Sequence, residues 1–284
     1  MNEPDFISEA RIAILGLGLM GGSLTLALRG RCRAIWASDP DRETISQARQ
    51  RGIVEQVSTD PAEILPQADV VILAAPLDAI FSLIGKLPDW HPGSAIVLDL
   101  GSTKTQVVEA LESLPLRFDP LGGHPMCGKE VSGLANAEAS IFRGATFAFT
   151  PLERTSPRAR AFASGLARTI GSRPLWLDAA THDRWAAATS HLPYLLASAL
   201  ALSTPVEAAA LIGPGFRSTS RVAATPAATM LDVLLTNREN ILESLARFRR
   251  QLDDLESRLS ADETTALKQA LDRGALRQRE LVEA

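Results

Sequence analysis

Short apolar runs and amphipathic stretches alternate along the first 178 residues. Runs at 11–16, 33–38, 69–75 and 94–100 read as strands, and stretches near 20–30, 41–51, 77–86 and 103–113 read as helices. That alternation predicts a parallel, doubly wound sheet with right-handed crossovers. Three further runs, 117–123, 145–150 and 173–177, have strand-like composition and extend the sheet. The connection over 124–144 is long and irregular for a compact domain, which marks it as functional rather than filler.

After Asp178 the pattern changes. No further strand is predicted, and helical patterns follow near 180–203, 206–212, 226–236, 238–259 and 262–283. The expected organisation is an α/β domain of Rossmann type over 1–178 and an all-α helical domain over 179–284. In the fourth helical pattern Ile241, Leu245, Phe248, Leu252, Leu255 and Leu259 recur at alternating spacings of four and three. Such a narrow seam serves either packing within the chain or pairing across the two-fold axis of a homodimer.

Composition narrows the class. A chain of 284 residues has room for two domains with cores of their own. A net charge of −4 with no block of lysine or arginine argues against a nucleic-acid partner. The two cysteines, Cys32 and Cys127, lie far apart, and Met1–Asp5 carries acids where a signal peptide would carry bases. A reducing cytoplasm is therefore the expected location. The strongly apolar segment 192–202 is broken by Pro193 and bounded by His191, Pro205 and Glu207, well short of a span. It reads as a buried helix, so no membrane partner is expected.

The first chemical signal is Gly16-Leu17-Gly18-Leu19-Met20-Gly21, placed directly after the apolar run Ile12–Leu15. Asp39 ends the next apolar run eighteen residues after Gly21. Strand, glycine-rich turn, helix, strand and acid in that order form the layout of a dinucleotide-binding unit. Gly16 allows the tight turn, Gly18 lets backbone approach a pyrophosphate, and Gly21 lets helix and strand pack closely. The helix start offers free N–H groups and the positive end of its dipole to the phosphates. Asp39 would accept hydrogen bonds from both ribose hydroxyls and repel a 2′-phosphate, which selects NAD over NADP. The alternative is a glycine-rich turn in some other α/β protein. Ala75 and Pro76, like Ser102, fall at strand carboxyl ends, where ligands bind in open sheets of this kind.

Four segments carry candidate chemistry. Ser102, in Asp99-Leu100-Gly101-Ser102-Thr103-Lys104, serves either as a helix cap or as a hydroxyl in the cleft. His124 lies between two glycines and a proline, a low-bulk loop expected to expose its imidazole over the cofactor cleft. His182 and His191 stand nine residues apart, about two and a half helical turns, so they do not share a face and do not suggest a metal site. Asp183, beside His182, reads as an acid complementing the dipole at a helix start. Arg217 and Arg221, in Gly213-Pro214-Gly215-Phe216-Arg217-Ser218-Thr219-Ser220-Arg221, suit a bidentate grip on a carboxylate, with a surface ion pair as the alternative for Arg217.

Taken in order, the motifs GLGLMGGSL, DLGSTK, GGHPMCGKEVSG, HDRWAAATSHLPY and GFRSTSR resemble those of the prephenate/arogenate dehydrogenase family over nearly the whole chain. The resemblance implies an NAD(P)-binding domain followed by a helical dimerisation domain, with oxidative decarboxylation of a cyclohexadienol in the cleft between them. It implies that His124 accepts the proton of the ring hydroxyl, that Ser102 hydrogen-bonds the same region, and that Arg221 binds a substrate carboxylate. Asp183 and Glu130 match acidic positions around that site, and His191 and Tyr194 are read as further substrate contacts.

The chemistry fits the residue types. A neutral imidazole suits proton removal from a secondary alcohol near neutral pH. Loss of carbon dioxide forms an aromatic ring, so the driving force lies in the substrate, and no metal is called for. Two positions depart from the family pattern. Ser218 stands where many relatives have Asp, and Tyr194 where prephenate-preferring members often have a second histidine. Tyrosine offers one hydrogen bond and no positive charge, which keeps arogenate open beside prephenate. A β-hydroxyacid dehydrogenase would need a catalytic lysine in the helical half, where Lys268 is the only lysine after residue 129. An NAD-sensing dimer without turnover is the non-enzymatic alternative.

Overall fold

The computed structural model describes residues 6–283. Met1–Asp5, on which the expectation about a signal peptide rests, lies outside the described residues. The chain divides into two compact units, the first ending at Asn237 and the second beginning at Arg238.

The first unit opens with α1 (Phe6–Glu9), β1 (Arg11–Leu15), α2 (Leu19–Leu28), β2 (Ala34–Ser38), α3 (Arg42–Arg51) and β3 (Gln56–Ser58). It continues with β4 (Val70–Leu73), α4 (Leu77–Trp90), β5 (Ala95–Asp99), α5 (Thr105–Glu112) and β6 (Phe118–Pro125). The sheet is completed by β7 (Thr146–Pro151), α6 (Pro157–Ile170) and β8 (Arg173–Trp176). Helices α7 (Ala179–Ala186), α8 (Leu192–Ser203), α9 (Pro214–Ser220) and α10 (Ala227–Thr236) follow, with a π turn over Ala187–His191. The second unit consists of α11 (Arg238–Ser260) and α12 (Thr264–Glu283).

Among the described residues the eight strands form one sheet in the order β3-β2-β1-β4-β5-β6-β7-β8. Strands β4 and β5 are buried at every position, as expected where helices cover both faces of a parallel sheet. One apolar cluster, including Ile14, Leu24, Ile72 and Phe162, lies on one side, and another, including Leu15, Ile80, Val97 and Val107, on the other. The chain order reverses between β1 and β4, so a crevice opens beyond their carboxyl ends. The glycine turn after β1 and Ala74–Pro76 after β4 both face that crevice.

The predicted strands and helices appear within a few residues of their expected bounds, but α1, α6 and α9 were not predicted, and the sheet differs in two respects. The short β3 carried no signal, because Gln56-Val57-Ser58 has one apolar residue and pairs only with β2 at the sheet edge. Strand β7 runs antiparallel to β6, with Leu121 opposite Pro151 and Pro125 opposite Phe147. The segment between those strands holds only 3₁₀ turns, Leu134–Asn136 and Ala139–Phe142, and no crossover helix to return the chain in parallel.

The second unit contains the predicted leucine seam. Within a single chain Leu252 is 51% exposed and Leu259 66% exposed. No described helix is long and apolar enough to cross a membrane.

Candidate active site

The turn after β1 is shaped by two close approaches. Gly16 has φ +100°, and a Cβ there would lie 2.4 Å from the Ala74 carbonyl oxygen. A Cβ on Gly21 would lie 1.9 Å from the Gly16 carbonyl oxygen, so neither position admits a side chain. Helix α2 starts at Leu19 with Gly18 as its cap and no side chain covering the first N–H groups. Two adjoining cavities, of about 440 and 420 Å³, share Gly18, Ala74, Ala75 and Pro76 as common lining. Gly16 and Asp39 line the first; Leu19, Met20, Ser102 and Cys127 line the second. An elongated two-part cleft over an uncapped helix start, with one acid at its far end, fits a dinucleotide.

Asp39 also braces the turn. One carboxylate oxygen accepts the Leu17 N–H at 2.8 Å and the other accepts the Asp41 N–H at 2.9 Å. Leu17 contributes that backbone bond, while its side chain is buried with Ala37 and Ala48. Burial raises the pKa of the Cys127 thiol to about 11, so it stays protonated in the cleft wall.

A second group of residues converges from β5, β6, α5 and α7. His124 Nδ1 lies 3.0 Å from His182 Nε2, and His182 Nδ1 lies 2.9 Å from Asp183 Oδ1. That carboxylate also accepts the backbone N–H of Lys104 at 2.7 Å and of Thr105 at 2.8 Å. An ionised carboxylate only accepts, so His182 Nδ1 donates to it. In a neutral imidazole Nε2 is then the acceptor, His124 Nδ1 donates to it, and His124 Nε2 is left as a free base.

The titration of these groups follows from their surroundings. Burial works to raise the Asp183 pKa, but hydrogen bonds from His182, Thr105 and Lys104 outweigh it and hold the carboxyl below its ordinary value. His124 is held well below an ordinary histidine, first by desolvation and then by the neighbouring charges of His182, Lys104 and His191. The imidazole is therefore neutral at neutral pH.

Several sequence expectations are corrected here. His124 lies in strand β6, opposite Ala148 of β7, rather than in a loop. The glycine before it serves close packing, since a Cβ on Gly123 would lie 2.8 Å from the Asp99 carbonyl oxygen. Asp183 is not at the start of its own helix, where Asp178 caps by accepting the Thr181 N–H at 2.8 Å. Instead it caps α5 from another element, because its carboxylate takes the first two free N–H groups there. Ser102 precedes α5 by three residues and lines the cleft rather than capping the helix.

His182, Lys104, Asp99 and Asn237 were not assigned a role from the sequence. His182 does share a motif with Asp183, but only the tertiary structure shows that the two stand in line with His124. Lys104 is fully buried, and its Nζ pairs closely with Asp99 and donates to the Gly123 carbonyl at 2.7 Å. Asn237 Nδ2 donates to the Asp183 carbonyl at 2.7 Å and to His191 Nδ1 at 3.1 Å.

His191 is consequently the tautomer with a proton on Nε2, a buried donor without a hydrogen-bond partner among the described residues. The π turn that ends at His191 widens the helix and sets this ring beside Asn237. Burial, with a smaller contribution from His182 and against the pull of Asp183, lowers its pKa from 6.5 to about 4. The unfolded chain therefore binds a proton near pH 6.5 that the folded chain refuses until about pH 4, so stability is lost as pH falls through that window. The loss from this group is about 3 kcal/mol. Denaturant unfolding between pH 7.5 and 4 is expected to show the descent, and H191Q to flatten it. Parallel pH profiles for the two proteins would contradict the assignment.

The remaining candidates lie nearer the surface. Arg221, 62% exposed, forms a close ion pair with the partly buried Glu130. Arg217 and Ser218 are exposed on α9, and Tyr194 is half-buried in the first turn of α8, three residues beyond His191. Lys268 is exposed and pairs with Asp272 at 2.7 Å, the setting of a surface residue rather than a catalytic amine.

Comparison with known proteins agrees with this geometry. Residues 24–174 match the family described as prephenate dehydrogenase, nucleotide-binding domain, and residues 178–273 match prephenate dehydrogenase, dimerization domain. The chain is 29% identical to a prephenate dehydrogenase of Lactococcus lactis over 93% of its own length and 75% of that protein. The crystal structure of Aquifex aeolicus prephenate dehydrogenase with hydroxyphenyl propionate and NAD+ superposes with a TM-score of 0.88 at 27% identity, covering 97% of this chain and 99% of that one. Synechocystis arogenate dehydrogenase superposes with a TM-score of 0.82 at 28% identity, covering 95% and 99%. With both of its parts matched and the cleft and relay in place, this chain belongs to the prephenate dehydrogenase family, and its cofactor is NAD.

Proposed function

We propose that the enzyme converts prephenate to 4-hydroxyphenylpyruvate and carbon dioxide, with His124 as the general base. The observation that supports this most strongly is the His124–His182–Asp183 series, which leaves His124 Nε2 unprotonated in a half-buried strand end, three residues before Cys127 of the cleft wall. When bound, NAD+ supplies the two-electron oxidant for the ring carbinol. His124 takes the hydroxyl proton, and Asp183, through His182, stabilises the positive charge this places on the imidazole. Ser102, in the same cleft wall, orients the hydroxyl oxygen. The ring carboxylate leaves as carbon dioxide, its bonding pair completes the aromatic ring, and the proton returns from His124 to the phenolic oxygen. No net proton is released.

The chain's part is to position ring and cofactor, hold one proton and anchor the substrate. Tyr194 offers a hydroxyl to the substrate's polar groups, whereas His191, expected as a further contact, is buried against Asn237 and lines neither of the two cavities. Arg221 is the carboxylate anchor, with Glu130 holding it until substrate arrives and Arg217 adding positive charge on the adjoining helix. R221A is expected to raise KM about 10-fold or more with little change in kcat, because an anchor used equally in ground and transition states affects binding alone. An unchanged KM would remove Arg221 from that role. Equimolar carbon dioxide and NADH from prephenate test the overall reaction, and NADH without carbon dioxide would refute it.

A second reading, arogenate as substrate, is favoured by Tyr194, which brings no positive charge to meet a keto-acid side chain. The working protein is proposed to be a homodimer formed through the helices after residue 178, consistent with the dimerization-domain match and the exposed leucines of α11.

A further inference from the structure

The ladder between β5 and β6 ends at the pair Leu98 and Leu121, two residues before the strand reaches Gly123. From there side chains replace backbone. Asp99 Oδ1 accepts the Gly123 N–H at 3.1 Å, and Lys104 Nζ donates to the Gly123 carbonyl at 2.7 Å. Asp99 and Lys104 are themselves joined in a close ion pair, both wholly buried. The Gly123 carbonyl belongs to the peptide bond that leads into His124, so the pair holds both backbone groups of the residue before the imidazole.

Lys104 also reaches the far end of the histidine series. Its backbone N–H donates at 2.7 Å to Asp183 Oδ1, the same oxygen that faces His182 Nδ1 at 2.9 Å. The hydrogen bonds therefore close a ring: His124 to His182, His182 to Asp183, Asp183 to the Lys104 backbone, and the Lys104 side chain to the peptide of His124. Burying two charges is costly, and apolar residues of similar size commonly serve stability as well or better. An apolar pair could fill this volume, but it could not hold both the N–H and the carbonyl of Gly123.

We infer that Lys104, with Asp99, is a positioning residue that clamps Gly123, and through its carbonyl the peptide leading into His124, so that the imidazole keeps Nδ1 on His182. The inference rests on the reading of His124 as the base. Its effect is on turnover rather than on substrate or cofactor binding, since neither side chain is exposed to the cleft.

The test uses D99N/K104M, which removes both charges together and leaves no lone buried ion. The expected result is a kcat lowered about 10-fold or more, with KM and NAD+ affinity within about three-fold of the parent. The 15N resonances of the His124 ring are expected to change from a single tautomer to a mixture. A folded double variant with parental kcat would overturn the clamp, as would a slower enzyme whose His124 tautomer is unchanged. The unmutated enzyme gives a check that needs no variant: the Lys104 ammonium is expected to show an exchange-protected 15N signal coupled to the Gly123 carbonyl. Absence of that coupling overturns the inference. If H124N is inactive while D99N/K104M turns over at the parental rate, the clamp falls and the base stands. If H124N itself runs at the parental rate, the reading of the site falls first.

Discussion

Replacing His124 with asparagine is expected to lower kcat by about 10²–10⁴ while leaving NAD+ affinity within about two-fold. Asparagine preserves most of what His124 does structurally. Its amide can still donate toward His182 Nε2, and its smaller volume fits a strand position already shaped by Gly123. What it lacks is a second nitrogen able to hold a proton, so the loss isolates base catalysis from architecture. The cofactor cleft is lined by Gly16, Gly18, Asp39, Ala75 and Pro76, none of which the substitution touches. A variant with near-parental kcat would remove His124 from the mechanism. In the parent enzyme the acidic limb of the kcat/KM profile is expected well below pH 6.5, because protonation of the enclosed imidazole is disfavoured by burial and by nearby positive charge.

The second large effect is expected from D183N, which keeps the volume of the side chain and removes its charge. The Asp183 carboxylate accepts from His182 Nδ1, Lys104 N–H and Thr105 N–H together. An amide has one oxygen for these three donors, and its NH2 group must face at least one of them. If the amide nitrogen faces His182, the ring adopts the other tautomer, and His124 must then expose a protonated Nε2. If it faces Thr105, the start of α5 loses a cap. The first outcome is expected to cost about 10²–10⁴ in kcat, on the same grounds as wrong-tautomer losses in catalytic triads. The second costs about 1–2 kcal/mol of stability. Stopped-time assays paired with denaturant unfolding separate the two losses. D183N with unchanged kcat would show that the carboxylate is structural alone.

The sequence made the frame legible where local signals and tertiary structure agree. The alternation of apolar runs and helical stretches gave the sheet and its helices as far as α5, though not α6, and the glycine turn with Asp39 gave the cofactor cleft. His124 and Ser102 were identifiable as candidates because glycine, proline and a strand end surrounded them. Less legible were features set by contacts between distant elements. Asp183 caps a helix 78 residues away from it in sequence, and nothing local distinguishes that from an acid complementing its own helix. Lys104 follows Ser102 in a loop before α5, where a lysine ordinarily reads as surface. The π turn over Ala187–His191 changes the helical phase, so the face on which His191 lies is not given by a count of 3.6 residues per turn.

By the family resemblance Tyr194 and Ser218 depart from the pattern of many relatives; Ser218 lies on α9, three residues before Arg221, and neither residue belongs to the histidine series. Specificity and proton transfer are thus assigned to different parts of the site. The dominant cost of changing one need not fall on the other, and R221A and H124N are expected to separate them as KM and kcat effects.

The measurement that bears most directly on the proposed function is NADH formation by the purified enzyme with prephenate and arogenate side by side. For a prephenate dehydrogenase working through this site, prephenate is turned over with the higher kcat/KM and H124N abolishes the signal with both substrates. Turnover of arogenate alone would contradict the proposed substrate and single out Tyr194. Binding of NAD+ with turnover of neither would contradict the function itself.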